Sequence, residues 1–216
     1  MRYVEQRINK DLVDFIRFLI TVCCMNYYEG KPGWIEVICG PMFAGKTEEL
    51  IRRVKRMDFA KKKYVIFKPS IDDRYSISEV VSHNKRKVSA ISVSSSCEFD
   101  KHITDDVEAV IIDEVQFFDE AVIEKSRELA NKGMRVICAG LDCDFRGNPF
   151  NIVAQMLAMA EKITKLTAIC VCCGEEATKT QRIINGMPAK YDDPTILVGE
   201  KESYEPRCRK CHVVLK

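Results

Sequence analysis

The sequence predicts an α/β fold in which a mostly parallel sheet is followed by a small C-terminal subdomain. From Trp34 onward, short apolar runs alternate with amphipathic helical segments, a pattern typical of parallel strands joined through helices. Near residue 168 the composition changes to cysteine, glycine, proline and charged residues. A chain of 216 residues accommodates one α/β domain and an appendage, but not a second large domain.

Residues 1–33 form an N-terminal extension whose role the sequence leaves open. Its apolar residues recur at helical spacing, which predicts an amphipathic helix that packs on the body of the protein, packs on a partner or stays poorly ordered. Asp14 and Arg17 interrupt the most apolar stretch, so no membrane span is predicted. The apolar residues are Leu12, Phe15, Ile16, Leu19, Ile20 and Cys23.

The predicted core covers residues 34–168. Gly133 is typical of a helix end, and the polar, weakly patterned residues 70–96 predict a long connection of a kind that often carries function. The predicted strands are 34–39, 64–67, 109–112, 135–139 and 165–169, and the predicted helices are 46–60, 120–131 and 150–162.

A phosphate-binding loop is predicted between the first strand and the first helix. The segment Gly40-Pro41-Met42-Phe43-Ala44-Gly45-Lys46-Thr47 matches the pattern G-x-x-x-x-G-K-[ST]. Backbone N–H groups and the start of the helix supply positive charge for phosphates in such a loop. We expect Lys46 to contact the β- and γ-phosphates of a bound nucleotide and the Thr47 hydroxyl to ligate Mg²⁺.

Two adjacent carboxylates follow the apolar run 109–112. Asp113 and Glu114 are therefore expected at the edge of the sheet that also carries the phosphate loop. Asp113 suits the Mg²⁺ shell, through a water molecule. Glu114 is expected to face the attacking group and to act as a general base.

Two C-x-x-C pairs predict a structural Zn²⁺ site in the C-terminal part, residues 169–216. Cys170, Cys173, Cys208 and Cys211 supply four sulfur ligands and would close residues 174–207 into a loop. Cys172 and His212 are alternative ligands. Unliganded thiols or two disulfides are a further alternative, which a reducing compartment disfavours.

The overall charge and the cysteine usage limit the function classes. Basic and acidic residues number 34 and 32, so a broad nucleic-acid-binding face is not indicated. The chain has 11 cysteines, and several lie in strand-like runs, where thiols commonly pack as small apolar groups. This usage favours a cytoplasmic protein over a secreted disulfide scaffold.

Four ordered motifs together resemble the zinc-containing (type II) thymidine kinases, from Trp34 to the C-terminus. They are the phosphate loop, Asp113-Glu114-Val115-Gln116-Phe117-Phe118, Asp142-x-x-Phe145-Arg146-x-x-Pro149-Phe150 and the paired cysteines. The resemblance implies a P-loop NTPase core of recombinase-type ATPase topology, a zinc-bearing lasso subdomain and a homotetramer with end-product inhibition. It also implies transfer of the γ-phosphate of ATP to thymidine, with deoxyuridine as a further acceptor, in nucleotide salvage for DNA synthesis.

The resemblance also assigns roles to individual residues. It implies that Glu114 is the general base, that Lys46 and Arg74 act on the phosphates, and that a loop with Tyr204 closes over the base. The implied ATP and Mg²⁺ site comprises residues 40–47, Asp113, Glu114, Val115 and Gln116. The implied nucleoside site comprises Met42, Phe117, Leu141, Phe145, Phe150, Thr195, Ile196, Leu197, Val198, Gly199 and Tyr204.

Two other functions fit parts of the same pattern. A zinc-ribbon, nucleic-acid-dependent P-loop ATPase would combine the phosphate loop with the cysteine pairs, but it predicts a basic groove that the near-neutral charge disfavours. A regulatory module would bind nucleotide without turnover. The kinase interpretation predicts no nucleic-acid or membrane partner.

Overall fold

The computed structural model describes residues 33–70, 79–81, 87–195 and 202–216. Its helices are α1 (Lys46–Phe59), α2 (Ala121–Asn131) and α3 (Asn151–Met159), with short 3₁₀ helices at Ser96–Lys101 and Val115–Phe117. Its strands are β1 (Trp34–Gly40), β2 (Tyr64–Pro69), β3 (Glu79–Val81), β4 (Lys87–Ser89), β5 (Ile91–Val93), β6 (Ala109–Ile112), β7 (Arg135–Leu141), β8 (Lys162–Lys165), β9 (Ala168–Ile169), β10 (Glu176–Ala177), β11 (Lys179–Ile184), β12 (Met187–Pro188) and β13 (Glu202–Arg207).

A six-stranded sheet of order β5-β2-β6-β7-β1-β8 confirms the predicted α/β class. Every strand pairing within this sheet is parallel. The inner strands read as nearly continuous apolar runs because helices cover both faces. Leu50 and Val54 of α1 pack on one face, and Val122 of α2 and Val153 of α3 belong to the core on the other.

Several element boundaries differ from the sequence prediction. The predicted helix 150–162 ends at Met159, and the predicted strand 165–169 is replaced by β8 and the short β9. β8 is an edge strand with exposed residues, including Ile163, so its pattern lacks the burial signal of the inner strands. The predicted connection 70–96 contains β5, which extends the sheet beside β2, and the antiparallel pair of β3 and β4.

The strand ladders that follow residue 168 are antiparallel. β9 pairs with β10, and β11 pairs with both β12 and β13. A division of the chain into an extension, a core and a zinc-bearing part stays a prediction.

Residues 1–32, with the expected amphipathic helix, lie outside the described residues. No helix in the described ranges combines the length and apolarity that crossing a bilayer requires.

A buried carboxylate joins β1 to its neighbours. Glu36 is 3% exposed and accepts hydrogen bonds from Trp34 Nε1 (2.6 Å), Arg53 Nη1 (2.6 Å) and Arg135 Nε (2.9 Å). Burial acts to raise the pKa of Glu36, but the hydrogen bonds from Arg135 and Trp34 and the nearby positive charges outweigh it, so the pKa lies below its usual value. The carboxylate therefore stays ionised inside the fold.

Arg53 extends this ion cluster to helix α1 and to the edge of the sheet. Its guanidinium donates to Glu49 Oε1 of α1 (2.8 Å) and to Thr164 Oγ1 of β8 (2.6 Å), in addition to Glu36. One side chain thus links β1, β8 and the helix that follows the phosphate loop. We infer that the cluster sets the distance between α1 and the sheet.

We expect Glu36→Gln to lower the free energy of unfolding by about 3 kcal/mol, because it removes the buried charge that the guanidinium groups of Arg53 and the half-buried Arg135 share. Urea denaturation at pH 7 measures the change. The matched control is Glu108→Gln, which removes the exposed ion pair with Lys62 and should cost no more than about 1 kcal/mol.

The Glu36 effect should also depend on pH. A carboxylate with a lowered pKa stabilises the fold above its unfolded pKa, about 4.3 for glutamate, and this contribution is lost as pH falls through the lower folded pKa. The difference in free energy of unfolding between wild type and Glu36→Gln should therefore become smaller in acid. Equal stability of Glu36→Gln and Glu108→Gln at pH 7 would contradict the role of the cluster.

Candidate functional site

The phosphate loop, residues 40–47, connects the carboxyl end of β1 to α1. Its backbone has positive φ at Gly40 (146°), Phe43 (65°) and Gly45 (82°). A Cβ at Gly40 would lie 2.4 Å from the carbonyl oxygen of Leu166, so this position needs glycine for its close approach to the chain after β8. The first N–H groups of a helix have no partner within it, so those at the start of α1 are suited to bind phosphate.

Lys46 is the cation of this loop. Its Nζ donates to the carbonyl oxygen of Pro41 at 2.8 Å. Burial lowers the pKa of Lys46, and the negative charges of Glu114, Asp113 and Asp142 act in the opposite direction. The ammonium group therefore lies among three carboxylates, and these oppose the loss of its proton.

Asp113 and Glu114 follow β6 at the same edge of the sheet. The N–H of Asp113 donates to the carbonyl oxygen of Phe67 (2.9 Å), and Asp113 Oδ1 accepts from the N–H of Glu114 (3.0 Å). Burial, followed by the charge of Glu114, raises the pKa of Asp113 to about 7. The nearby ammonium groups of Lys68 and Lys46 favour its ionised form.

Glu114 has a left-handed backbone conformation, with φ 50° and ψ 43°. This conformation is unfavourable for a residue with a Cβ and persists where surrounding contacts enforce it. The adjacent 3₁₀ turn, closed by the hydrogen bond from the N–H of Phe117 to the carbonyl oxygen of Glu114 (3.0 Å), supplies one such contact.

The Gln116 side chain holds the Glu114 carboxylate in place. Its Nε2 donates to Glu114 Oε2 (2.6 Å), and its Oε1 accepts from the N–H of Leu141 at the end of β7 (3.1 Å). A Cβ at Gly140 would lie 2.4 Å from Gln116 Oε1, so β7 has glycine where this amide passes. Gln116 is predicted among the nucleotide-binding residues, but its link to Glu114 has no sequence signature.

The residues predicted to surround the base differ in their burial and in their contacts. Phe117 and Phe150 have rings in edge-to-face contact, with centroids 6.3 Å apart. Phe145 is 4% exposed, whereas Met42 and Leu141 are half-buried. Val115, predicted in the nucleotide site, is fully buried in the hydrophobic core.

A hydrogen bond connects the phosphate loop to β11. The N–H of Met42 donates to Thr180 Oγ1 at 3.0 Å. The sequence does not identify Thr180, because nothing near it distinguishes this residue from other polar strand residues. Asp142 was also not assigned a role, although it is 6% exposed, lies near Lys46 and forms an ion pair with Lys165 (3.0 Å).

Four sulfur atoms form a candidate metal centre. The Sγ atoms of Cys170, Cys173, Cys208 and Cys211 all lie within 4.8 Å of one another. Zn–S bonds of about 2.3 Å in a tetrahedron require sulfur atoms about 3.8 Å apart, so the donor set and its spacing fit Zn²⁺. No disulfide forms among the cysteines of the described ranges.

The alternative ligands lie outside this group. Cys172 is exposed, and its sulfur contacts Arg207 Nη1. His212 Nε2 is 2.8 Å from the carbonyl oxygen of Phe145. The four-cysteine set therefore fits the metal better than a set containing Cys172 or His212.

Part of the predicted nucleoside loop is described. Thr195 is exposed, and its Oγ1 accepts from Arg146 Nη1 at 3.0 Å. Tyr204 lies on β13, opposite Arg182 of β11. The other predicted residues of this loop, Ile196, Leu197, Val198 and Gly199, lie outside the described residues, as does Arg74.

Two comparisons with known proteins relate to this geometry. A family model described as "Thymidine kinase" matches residues 33–212. Among solved structures, the chain is similar to a Pif1 helicase from Candida albicans with a TM-score of 0.39 and 11% sequence identity. That similarity covers 69% of this chain and 38% of the helicase chain.

We expect the purified, reduced protein to contain about one zinc per chain, because four thiolates at this spacing form a closed structural site. Metal analysis by mass spectrometry measures the content. Cys208→Ser should lose most of the metal, whereas Cys97→Ser, a control at an exposed cysteine outside the cluster, should keep it. Zinc-free wild-type protein, or unchanged zinc in Cys208→Ser, would contradict the assignment.

Proposed function

We propose that this chain, a member of the thymidine kinase family, transfers the γ-phosphate of ATP to the 5′-hydroxyl of thymidine. The products are thymidine monophosphate and ADP, and deoxyuridine is a second acceptor. The observation that carries the proposal is the convergence of the phosphate loop, Lys46 and the oriented carboxylate of Glu114 on one sheet edge. We further propose a cytoplasmic homotetramer that serves nucleotide salvage for DNA synthesis.

Residues 40–47 would bind the phosphates of ATP. Their backbone N–H groups and the start of α1 offer fixed positive charge, and Lys46 adds a full charge. Phosphoryl transfer needs chiefly positioning and charge stabilisation from the protein. The Lys46 ammonium group would therefore act both on bound ATP and on the charge that develops during transfer.

Glu114 would act as the general base. As the 5′-oxygen forms its bond to the γ-phosphorus, the bond from that phosphorus to the bridging oxygen of ADP breaks, and the hydroxyl proton passes to the Glu114 carboxylate. The Gln116 amide holds one carboxylate oxygen at 2.6 Å. This hydrogen bond would fix the direction of the base.

Mg²⁺ fits the oxygen donors at this edge. The Thr47 hydroxyl and the Asp113 carboxylate are the residues that would hold it, and when bound it neutralises charge on the β- and γ-phosphates. The pKa of Asp113, about 7, rises through burial and the Glu114 charge, so a bound cation would favour its ionised form.

The zinc-bearing part would form the nucleoside side of the site. Zn²⁺ on the four cysteines would fasten both ends of the segment 174–207, which contains the predicted loop. We propose that backbone groups of residues 195–199, together with Tyr204, read the thymine base. A fastened loop loses less conformational entropy on binding than a free one, which would raise affinity for the nucleoside.

A panel of acceptors tests the proposed reaction. Release of ADP should depend on thymidine, with deoxyuridine also accepted, and DNA or RNA should not stimulate it. ATP hydrolysis that depends on nucleic acid would instead support the zinc-ribbon ATPase. Nucleotide binding without turnover on any nucleoside would support the regulatory module.

We expect Glu114→Gln to lower kcat by about 10² or more, because an amide cannot accept the hydroxyl proton. Steady-state kinetics measure both kcat and the KM for ATP. The KM for ATP should change little in Glu114→Gln. Lys46→Ala should impair both parameters, because this cation acts in the ground state and in the transition state. Normal turnover of Glu114→Gln would exclude Glu114 as the base.

A further inference from the structure

We propose that Arg146 and Arg182 are positioning residues of the nucleoside site, which hold Phe145 and the segment 191–195 in one fixed arrangement. Neither arginine is assigned a role by the motifs for phosphate, base or metal binding. The inference rests on the proposed kinase function, since it concerns the same nucleoside site.

The Phe145 ring lies within reach of both guanidinium groups. The Cζ atom of Arg146 is 4.4 Å from the ring centroid, and that of Arg182 is 5.3 Å from it. Both distances are within the range of a cation–π interaction. The carbonyl oxygen of Phe145 is 2.8 Å from His212 Nε2, so ring and backbone both have fixed neighbours.

The same guanidinium groups bind the segment 191–195. Arg146 Nε donates to the carbonyl oxygen of Tyr191 (2.6 Å), and Arg146 Nη2 donates to that of Asp193. Arg182 Nη1 donates to the carbonyl oxygen of Pro194 (2.5 Å). With the Thr195 hydroxyl, four of the five residues of the segment accept a hydrogen bond from these two side chains.

Arg146 is anchored by contacts outside the segment, and Arg182 by its buried position. Arg146 Nη1 forms an ion pair with Asp144 Oδ2 at 2.9 Å, and Asp144 Oδ1 accepts from the N–H groups of Arg146 and Asn148, each at 2.9 Å. Arg182 is fully buried in β11, where it pairs with Tyr204. The Arg146 guanidinium thus has an anchor outside the segment.

Arginine suits this task better than lysine. A planar guanidinium donates several hydrogen bonds in fixed directions while its face lies on an aromatic ring, which one ammonium group cannot do. Three of the four acceptors are backbone carbonyl oxygens, so the interaction acts chiefly on the path of the chain. The predicted base-binding residues Phe145 and Thr195 would thus take their positions from Arg146.

Arg146→Gln tests the proposal. We expect the KM for thymidine to rise about tenfold or more, since several charge-assisted hydrogen bonds are lost, while the KM for ATP stays within about twofold. Arg146→Lys keeps the positive charge but loses the planar guanidinium. Its KM for thymidine should lie between those of wild type and Arg146→Gln. The control Arg127→Gln removes an exposed arginine that pairs with Glu124 on α2, and it should match wild type.

A second measurement does not need the kinase reaction. Hydrogen exchange in the peptide 190–195, measured without nucleoside, should be faster in Arg146→Gln than in wild type and Arg127→Gln, with zinc content unchanged. Tyr191 and Asp193 have hydrogen-bonded N–H groups that report this change. Arg182→Gln should also exchange faster in this peptide. If the substitution at this buried position prevents folding, the Arg146 variants decide the outcome.

The outcomes separate the two proposals. An unchanged thymidine KM in Arg146→Gln, an equal rise in both KM values, or unchanged exchange in the peptide 190–195 would each overturn the positioning role. Wild-type protein that phosphorylates no nucleoside would instead overturn the proposed function. Faster exchange would in that case still show that Arg146 orders the segment.

Discussion

The candidate site depends on the parallel pairing of β1, β6 and β7. Because these strands run in one direction, the three segments that leave them emerge at the same edge. The phosphate loop follows β1, the carboxylate pair follows β6, and the Asp142–Phe150 segment follows β7. The apolar ladders below this edge are buried on both faces, so the positions of all three segments are set by the core.

The core also supports geometry that the segments would not adopt alone. Glu114 has a left-handed backbone, and its carboxylate is held by an amide that itself rests on β7 next to Gly140. Residues in unfavourable conformations persist where the surrounding structure enforces them, and they cluster at functional sites. The absence of a side chain at Gly140 is therefore part of how the Glu114 carboxylate is positioned.

Local patterns predicted much of the site, whereas contacts between distant segments could not be predicted. The phosphate loop and the cysteine pairs are recognisable because their chemistry requires particular residues at short spacings, and the sulfur atoms of all four cysteines do converge. The links of Gln116 to Glu114 and of Thr180 to Met42 depend on tertiary distances. The edge strand β8 was misplaced because exposed residues give it no clear period.

The hydrogen bond from Met42 to Thr180 has a thermodynamic consequence. It joins a backbone N–H group of the phosphate loop to a strand that pairs with β13, where Tyr204 lies. A ligand that binds more tightly when this bond is formed shifts the equilibrium toward the bonded state. Because binding free energies are reciprocal, occupancy of either end would then change affinity at the other by the same factor, so the bond would couple the two ends thermodynamically.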